Sequence, residues 1–265
     1  MGQNFLISKT VLKKIIKAGN LKSSDIVLEI GPGLGILTKE LSKRVKRVIA
    51  IEKDKKLADI LKKELDNNGI KNVKIIQGDI LKIGNWKLIE NWKLKIENFK
   101  VVANLPYYIT APVIRMFLES ERPPKLMVLM VQKEVGKRIC AKPPKMSKLA
   151  VFSQFYGRPK IIGIVSKKCF WPQPKVDSLI LQIRPLLNPD RKLIAADRKL
   201  FSKIVRAGFS QPRKQLINNL SKSLEISREK VGKWFEKNKI QPTQRAESLT
   251  LQNWLDLANS YCFLF

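Results

Sequence analysis

The sequence predicts an open α/β sheet with helices on both faces, followed by a small all-α C-terminal domain. Three observations carry that reading. Strand-like apolar runs alternate with amphipathic helical ones as far as residue 183. A glycine-rich turn sits where the first long strand passes into a helix. After Arg184-Pro185 the strand pattern stops and only helical periodicity continues.

The elements follow in order. Ser8 is placed to cap a short helix whose apolar face is Val11, Leu12, Ile15 and Ile16. Asp25–Ile30 reads as strand, Leu34–Lys43 as helix and Arg47–Ile51 as a second strand. The next helix puts Leu57, Ile60, Leu61 and Leu65 on one face. Val73–Ile76, Phe99–Ala103 and Leu126–Val131 supply further buried strands. Two later ones, near Ile161–Val165 and Leu179–Ile183, are spaced to pair as an antiparallel edge. Asn188-Pro189-Asp190 reads as a linker, and helices are expected over Arg198–Ala207, Arg213–Ser221, Arg228–Glu236 and Leu251–Ser260. The expected boundary gives a domain over 1–187 and a helical one over 188–265.

Composition narrows the chemistry. With 265 residues and 44% hydrophobic side chains, the chain can bury a substantial core. No apolar stretch reaches membrane-spanning length and no signal peptide opens the sequence, so a cytoplasmic protein off the membrane is expected. The three cysteines form no CxxC pair, and histidine is absent. That zero excludes Ser-His-Asp hydrolysis, histidine-ligated metals and histidine bases, and no metal is expected. The net charge of +30 favours a polyanionic partner such as nucleic acid. Drift toward lysine codons would also raise it. The charge divides as +22 over 1–187 and +8 over 188–265, which suits a broad contact surface rather than a basic tail.

Five motifs carry the candidate chemistry. Val27-Leu28-Glu29-Ile30-Gly31-Pro32-Gly33-Leu34-Gly35 follows a strand and opens a helix, so backbone amides there can face a ligand. Its GxGxG spacing, with an internal proline, disfavours a dinucleotide cradle and fits the turn of S-adenosylmethionine (SAM) enzymes. Glu52 ends the second strand, 21 residues after Gly31, where a carboxylate can accept both ribose hydroxyls. Asp79, in Gln77-Gly78-Asp79-Ile80, can accept a hydrogen bond from an adenine amine. The glycine run also reads as a structural turn, Glu52 as a solvated strand-end acid, and Asp79 alone reads better as a plain turn; their order after successive strands is harder to explain so. Asn104-Leu105-Pro106-Tyr107 offers an amide and backbone carbonyls to an adenine N6 amine, drawing its lone pair out of ring conjugation, and Tyr107 offers a π-face. In Phe170-Trp171-Pro172-Gln173-Pro174-Lys175-Val176-Asp177-Ser178, alternate prolines stiffen the loop. Phe170 is the candidate for stacking on the base's other face, and Trp171 is expected to be a hydrophobic plug.

Taken together with Gly2-Gln3-Asn4-Phe5-Leu6, Gln132-Lys133-Glu134-Val135 and Gly208-Phe209-Ser210-Gln211-Pro212-Arg213-Lys214, these segments resemble the KsgA-type ribosomal RNA small-subunit adenine N6,N6-dimethyltransferases nearly end to end. The resemblance implies a class I SAM-dependent, Rossmann-like methyltransferase domain and a helical domain that engages the ribosome. It places cofactor contacts on Asn4, Leu6, Gly31, Glu52, Asp79 and Asn104, and gives Asn104, Tyr107 and Phe170 the catalytic work of holding the adenine. SAM is the implied methyl donor. The implied partner is small-subunit rRNA within the immature small subunit, where two adjacent adenines near the 3′ end are dimethylated; a monomer is expected. One departure bears on RNA grip and on ordering of the cofactor lid: family members usually carry a basic segment before GQNFL, and this chain starts at Met1 directly before it.

Two rivals stand beside this reading. An Erm-type enzyme would run the same chemistry on large-subunit rRNA; Leu105 and the FWPQPKVDS loop favour the KsgA type. A non-catalytic rRNA-binding assembly factor would have no use for the glycines, Glu52, Asp79 and NLPY.

Overall fold

The structure, a computed structural model, describes residues 4–83, 98–186 and 197–261. The linker expected at Asn188-Pro189-Asp190 lies outside the described residues, as do Gly2, Gln3 and Cys262. The chain divides into two compact units, Met1–Gly136 with Arg158–Pro185, and Lys137–Gly157 with Leu186–Phe265. The expected boundary near 187 sits beside the second of these divisions. Residues 137–157, read from sequence as part of the first domain, group with the helical unit. Their strongest signal is a helix, Lys148–Tyr156, whose Phe155 stacks on Phe201 at 4.3 Å.

The strands, in chain order, are β1 Phe5–Leu6, β2 Ile26–Ile30, β3 Arg47–Glu52, β4 Val73–Gln77, β5 Phe99–Asn104, β6 Leu126–Gln132, β7 Gly157–Val165, β8 Phe170–Trp171 and β9 Ser178–Pro185. Seven of them form one sheet in the order β4-β3-β2-β5-β6-β9-β7. Strands β4, β3, β2, β5 and β6 pair in parallel, and β9 runs antiparallel to β6. The expected edge pair is thus placed more deeply than its spacing suggested: β9 neighbours β7 and also enters between it and β6. From β2 the chain winds outward through β3 and β4, then returns to β2's other side with β5. That reversal opens a crevice beyond the carboxyl ends of β2 and β5, where doubly wound sheets bind ligands.

Local sequence explains the frame. Ser8 caps the helix Lys9–Gly19 by accepting from the Val11 N–H at 3.4 Å. Asp54 caps Lys55–Asn67, accepting from Lys56 and Leu57. Strand β6 is a continuous apolar run as far as Val131, and β5 is largely apolar, because both faces are covered. Lys100 interrupts β5, yet it is buried without an orphaned charge. Its ammonium meets the Asp25 carboxylate at 2.7 Å and the carbonyls of Gly19 and Asn20. Losing Asp25 would leave an unpaired buried cation, a far costlier state than the pair.

In the helical unit, Arg198–Gly208, Leu216–Leu224, Arg228–Lys237 and Leu251–Ser260 surround a core with Phe201, Trp234, Phe235 and Trp254. The second of these starts three residues later than its pattern suggested. The GFSQPRK run instead forms the turn before it, held by the Asn219 amide, which donates to the carbonyls of Gly208 and Gln211 at 2.7 and 3.0 Å. Among the described residues no helix is long and apolar enough to cross a membrane.

Candidate active site

The crevice is a cavity of about 930 Å³ at the carboxyl ends of β2–β5, and every residue singled out from sequence lines it: Asn4, Leu6, Gly31, Glu52, Asp79, Asn104, Tyr107 and Phe170. Its size suits a cofactor together with a second planar group.

One wall is the glycine turn. Gly31 and Gly33 hold φ of +66° and +55°, a conformation that L side chains rarely adopt. A Cβ at Gly33 would also stand 2.9 Å from the Phe5 ring. The Glu52 carboxylate, buried at the end of β3, accepts the Gly33 N–H at 3.1 Å on Oε2 and the Asp54 N–H at 2.9 Å on Oε1. Each oxygen keeps a lone pair for a further donor, so the group is both fixed and able to accept two hydroxyls. Asp79 accepts the Leu81 N–H at 3.0 Å and pairs with Lys53 at 3.0 Å, an interaction that holds its carboxyl below the usual carboxylate range. It is therefore ionised and acceptor-only. Behind this wall on β2 lies Glu29, 2% exposed; burial, with the nearby Glu52 charge adding to it, pushes its pKa up to about 8.

The facing wall is built from the end of β5 and from β8. Asn104 donates its Nδ2 to the carbonyl of Asn4 at 3.3 Å, which leaves its Oδ1 as the acceptor. Leu105 is buried, its N–H donating to the Met130 carbonyl at 3.2 Å, and Pro106 turns the chain into the short 3₁₀ turn Tyr107–Ile109. The Tyr107 hydroxyl lies 2.9 Å from Ser178 Oγ, fixing the ring's far end. Phe170 is buried, opposite Leu6 in the two-residue antiparallel pair of β1 and β8.

Two site features differ from or escape the sequence reading. Trp171 is not a plug: it is 66% exposed, because neighbouring residues of a strand point to opposite faces and Phe170 takes the inward one. Tyr108, 68% exposed, lines the same cavity and was not singled out; its only signal was adjacency to Tyr107. Among the described residues, no group of three or more His, Cys, Asp or Glu could hold a metal ion.

The arrangement fits SAM on the chain's own geometry. The turn comes close where a side chain would clash, Glu52 keeps acceptor capacity on both carboxylate oxygens, Asp79 is acceptor-only, and the amide oxygen of Asn104 is fixed in place. Similarity to known proteins agrees. A relative from Dehalococcoides mccartyi, named ribosomal RNA small subunit methyltransferase A, is 42% identical over 262 residues, covering 98% of this chain and 87% of the relative. A protein of the same name from Clostridium botulinum is 41% identical over 261 residues, covering 98% and 92%. The crystal structure of a dimethyladenosine transferase from Plasmodium falciparum superimposes with a TM-score of 0.78 at 27% identity, covering 98% of both chains. The 23S rRNA methyltransferase ErmE shares the fold, with a TM-score of 0.74 at 24% identity, covering 96% of this chain and 98% of that one. The sequence profile described as ribosomal RNA adenine dimethylase matches residues 1–262, and the chain belongs to that family.

Proposed function

We propose that the chain dimethylates the N6 amines of two adjacent adenines near the 3′ end of small-subunit rRNA, using SAM, on the immature subunit. The observation that carries this is the convergence of the glycine turn, Glu52, Asp79, Asn104, Tyr107 and Phe170 on one cavity. The relatives' names favour small-subunit rRNA over the large-subunit target.

The residues divide the work. Gly31 and Gly33 let the cofactor approach the backbone, Glu52 takes the ribose hydroxyls, Asp79 takes the adenine amine, and Asn4 and Leu6 cover it. Bound SAM supplies an electrophilic methyl on a sulfonium. Tyr107 and Phe170 hold the flipped adenine between their rings. Asn104 Oδ1 and the Leu105 carbonyl accept from N6, turning its lone pair toward the methyl. No histidine base is needed, because the amine becomes nucleophilic by orientation, the strongly acidic proton it carries after accepting the methyl passes to solvent, and positioning supplies much of the rate. The net +30 charge brings the RNA to the cavity in a salt-dependent manner, and the helical unit adds to the ribosomal contact.

The test is incubation with tritiated SAM and small subunits lacking these methyl groups, beside large subunits and duplex DNA. Dimethyladenine in small-subunit rRNA alone is the expected result. Label confined to large-subunit rRNA would move the chain to the Erm type, and SAM binding without transfer would make it a non-catalytic assembly factor.

A further inference from the structure

The loop from Lys167 to Asp177 does more than supply Phe170 to the cavity wall. Its ends are tied together, the Lys167 N–H donating to Asp177 Oδ1 at 3.1 Å, and Asp177 Oδ2 pairs with Lys133 at 3.5 Å. Between these ties Pro172 and Pro174 restrict the backbone, and Trp171 stands out into solvent. A large aromatic side chain presented on a stiffened loop loses little freedom when a partner covers it, which makes it an economical stacking surface.

A second cavity, of about 360 Å³, opens on the same loop. Three lysines line it (Lys133, Lys167 and Lys175) against two acids, Glu134 and Asp177, with Val176 45% exposed at its edge. Asp177 is already committed to the Lys167 amide and to Lys133, and Lys175 makes no ion pair among the described residues. Three ammonium groups against two carboxylates leave one positive charge in excess, and Lys175 is exposed, able to meet an anion of phosphate type.

This cavity adjoins the first. Gln132, in its lining, is the direct cross-strand partner of Ser178, whose hydroxyl lies 2.9 Å from that of Tyr107. Cross-strand partners in an antiparallel pair have Cα atoms about 5 Å apart. One residue pair thus separates the wall that would hold the target adenine from the floor of the lysine-lined cavity. A nucleotide next to one whose base enters the first cavity is therefore within reach of the loop.

Resting on the activity proposed above, we propose that the Lys167–Asp177 loop is a second nucleotide subsite. Lys167 and Lys175 hold a phosphate flanking the flipped adenine, and the Trp171 indole stacks on an adjacent base. The loop thereby sets which adenine of the RNA enters the cavity.

Full-length Trp171→Leu, Trp171→Phe, Lys175→Ala and Lys175→Arg are compared with the wild type. The probes are a single-stranded RNA oligonucleotide containing two adjacent adenines, read by fluorescence anisotropy, and the tritium assay on small subunits. Trp171→Leu weakens oligonucleotide binding about tenfold and raises KM with kcat within about twofold, whereas Trp171→Phe keeps most of the affinity. Lys175→Ala reduces the slope of log affinity against log salt by about 0.7, and Lys175→Arg restores it. SAM affinity and thermal melting stay at wild-type values in all four, since both positions are outside the core. Wild-type affinity in Trp171→Leu, or a loss that phenylalanine does not rescue, overturns the subsite while the activity stands. If the wild type itself labels no rRNA, the activity reading fails and the subsite falls with it.

Discussion

The two walls of the cavity are held in different ways. On the β2–β4 side, the polar groups are fixed by backbone amides close by in the chain: Asp54, two residues on, and Gly33, 19 residues back, hold Glu52, and Leu81, two residues on, holds Asp79. On the β5–β8 side, the side chains are fixed by partners a long way off in the chain. Asn104 depends on the Asn4 carbonyl, 100 residues away, and Tyr107 on Ser178, 71 residues away. The first wall is made by local turns once three strands align. The second exists only when the N-terminal segment and β9 have both arrived. In the mechanism proposed above, the alignment of N6 falls to the wall whose geometry the whole unit determines.

The sharpest way to break this contrast is Asn104→Ala. It should lower methylation about a hundredfold or more while leaving RNA affinity nearly unchanged. Equal loss of RNA binding and turnover in filter-binding and tritium assays would sink the role assigned to Asn104. Gly33→Ala attacks the other wall. A strained φ and the contact with Phe5 should weaken SAM binding about tenfold by calorimetry, with RNA affinity retained.

Glu29 offers a pH test beneath the first wall. Its carboxyl rises from 4.5 to about 8 on folding, so the native state binds a proton that the unfolded chain releases. Its contribution to stability is full below about pH 4.5, is lost progressively as pH rises toward 8, and levels off above that. Glu29→Gln, neutral throughout, should melt a few degrees higher than the wild type near pH 9 and within a degree or so near pH 4. Parallel melting curves at the two pH values would refute it. The smallest effect belongs to Tyr107→Phe, which keeps the ring and loses only the contact with Ser178. Turnover should fall less than about threefold, with stability lower by roughly 1 kcal/mol.

Much of the first wall was legible because its information is local. Strand, GxGxG turn and strand-end acid succeed one another in the sequence, and each element came within two residues of its expected bounds. The second wall was legible in its residue types but not in its supports, since nothing near Asn104 announces Asn4. Trp171 was misjudged for a related reason. Composition marks FWPQP as apolar, but only its pairing with Phe5 decides which of two adjacent rings turns inward. The place of residues 137–157 was equally hidden, because grouping by contact across 50 residues leaves no periodicity to read.

The carbonyl of Asn4 has a consequence beyond the wall it supports. The segment that orients Asn104 also carries Phe5 over Gly33, and β1 is joined to β8 by only two residue pairs. One short segment therefore serves both walls: a substitution that displaces it is expected to cost Asn104 its amide partner and Gly33 its aromatic neighbour together.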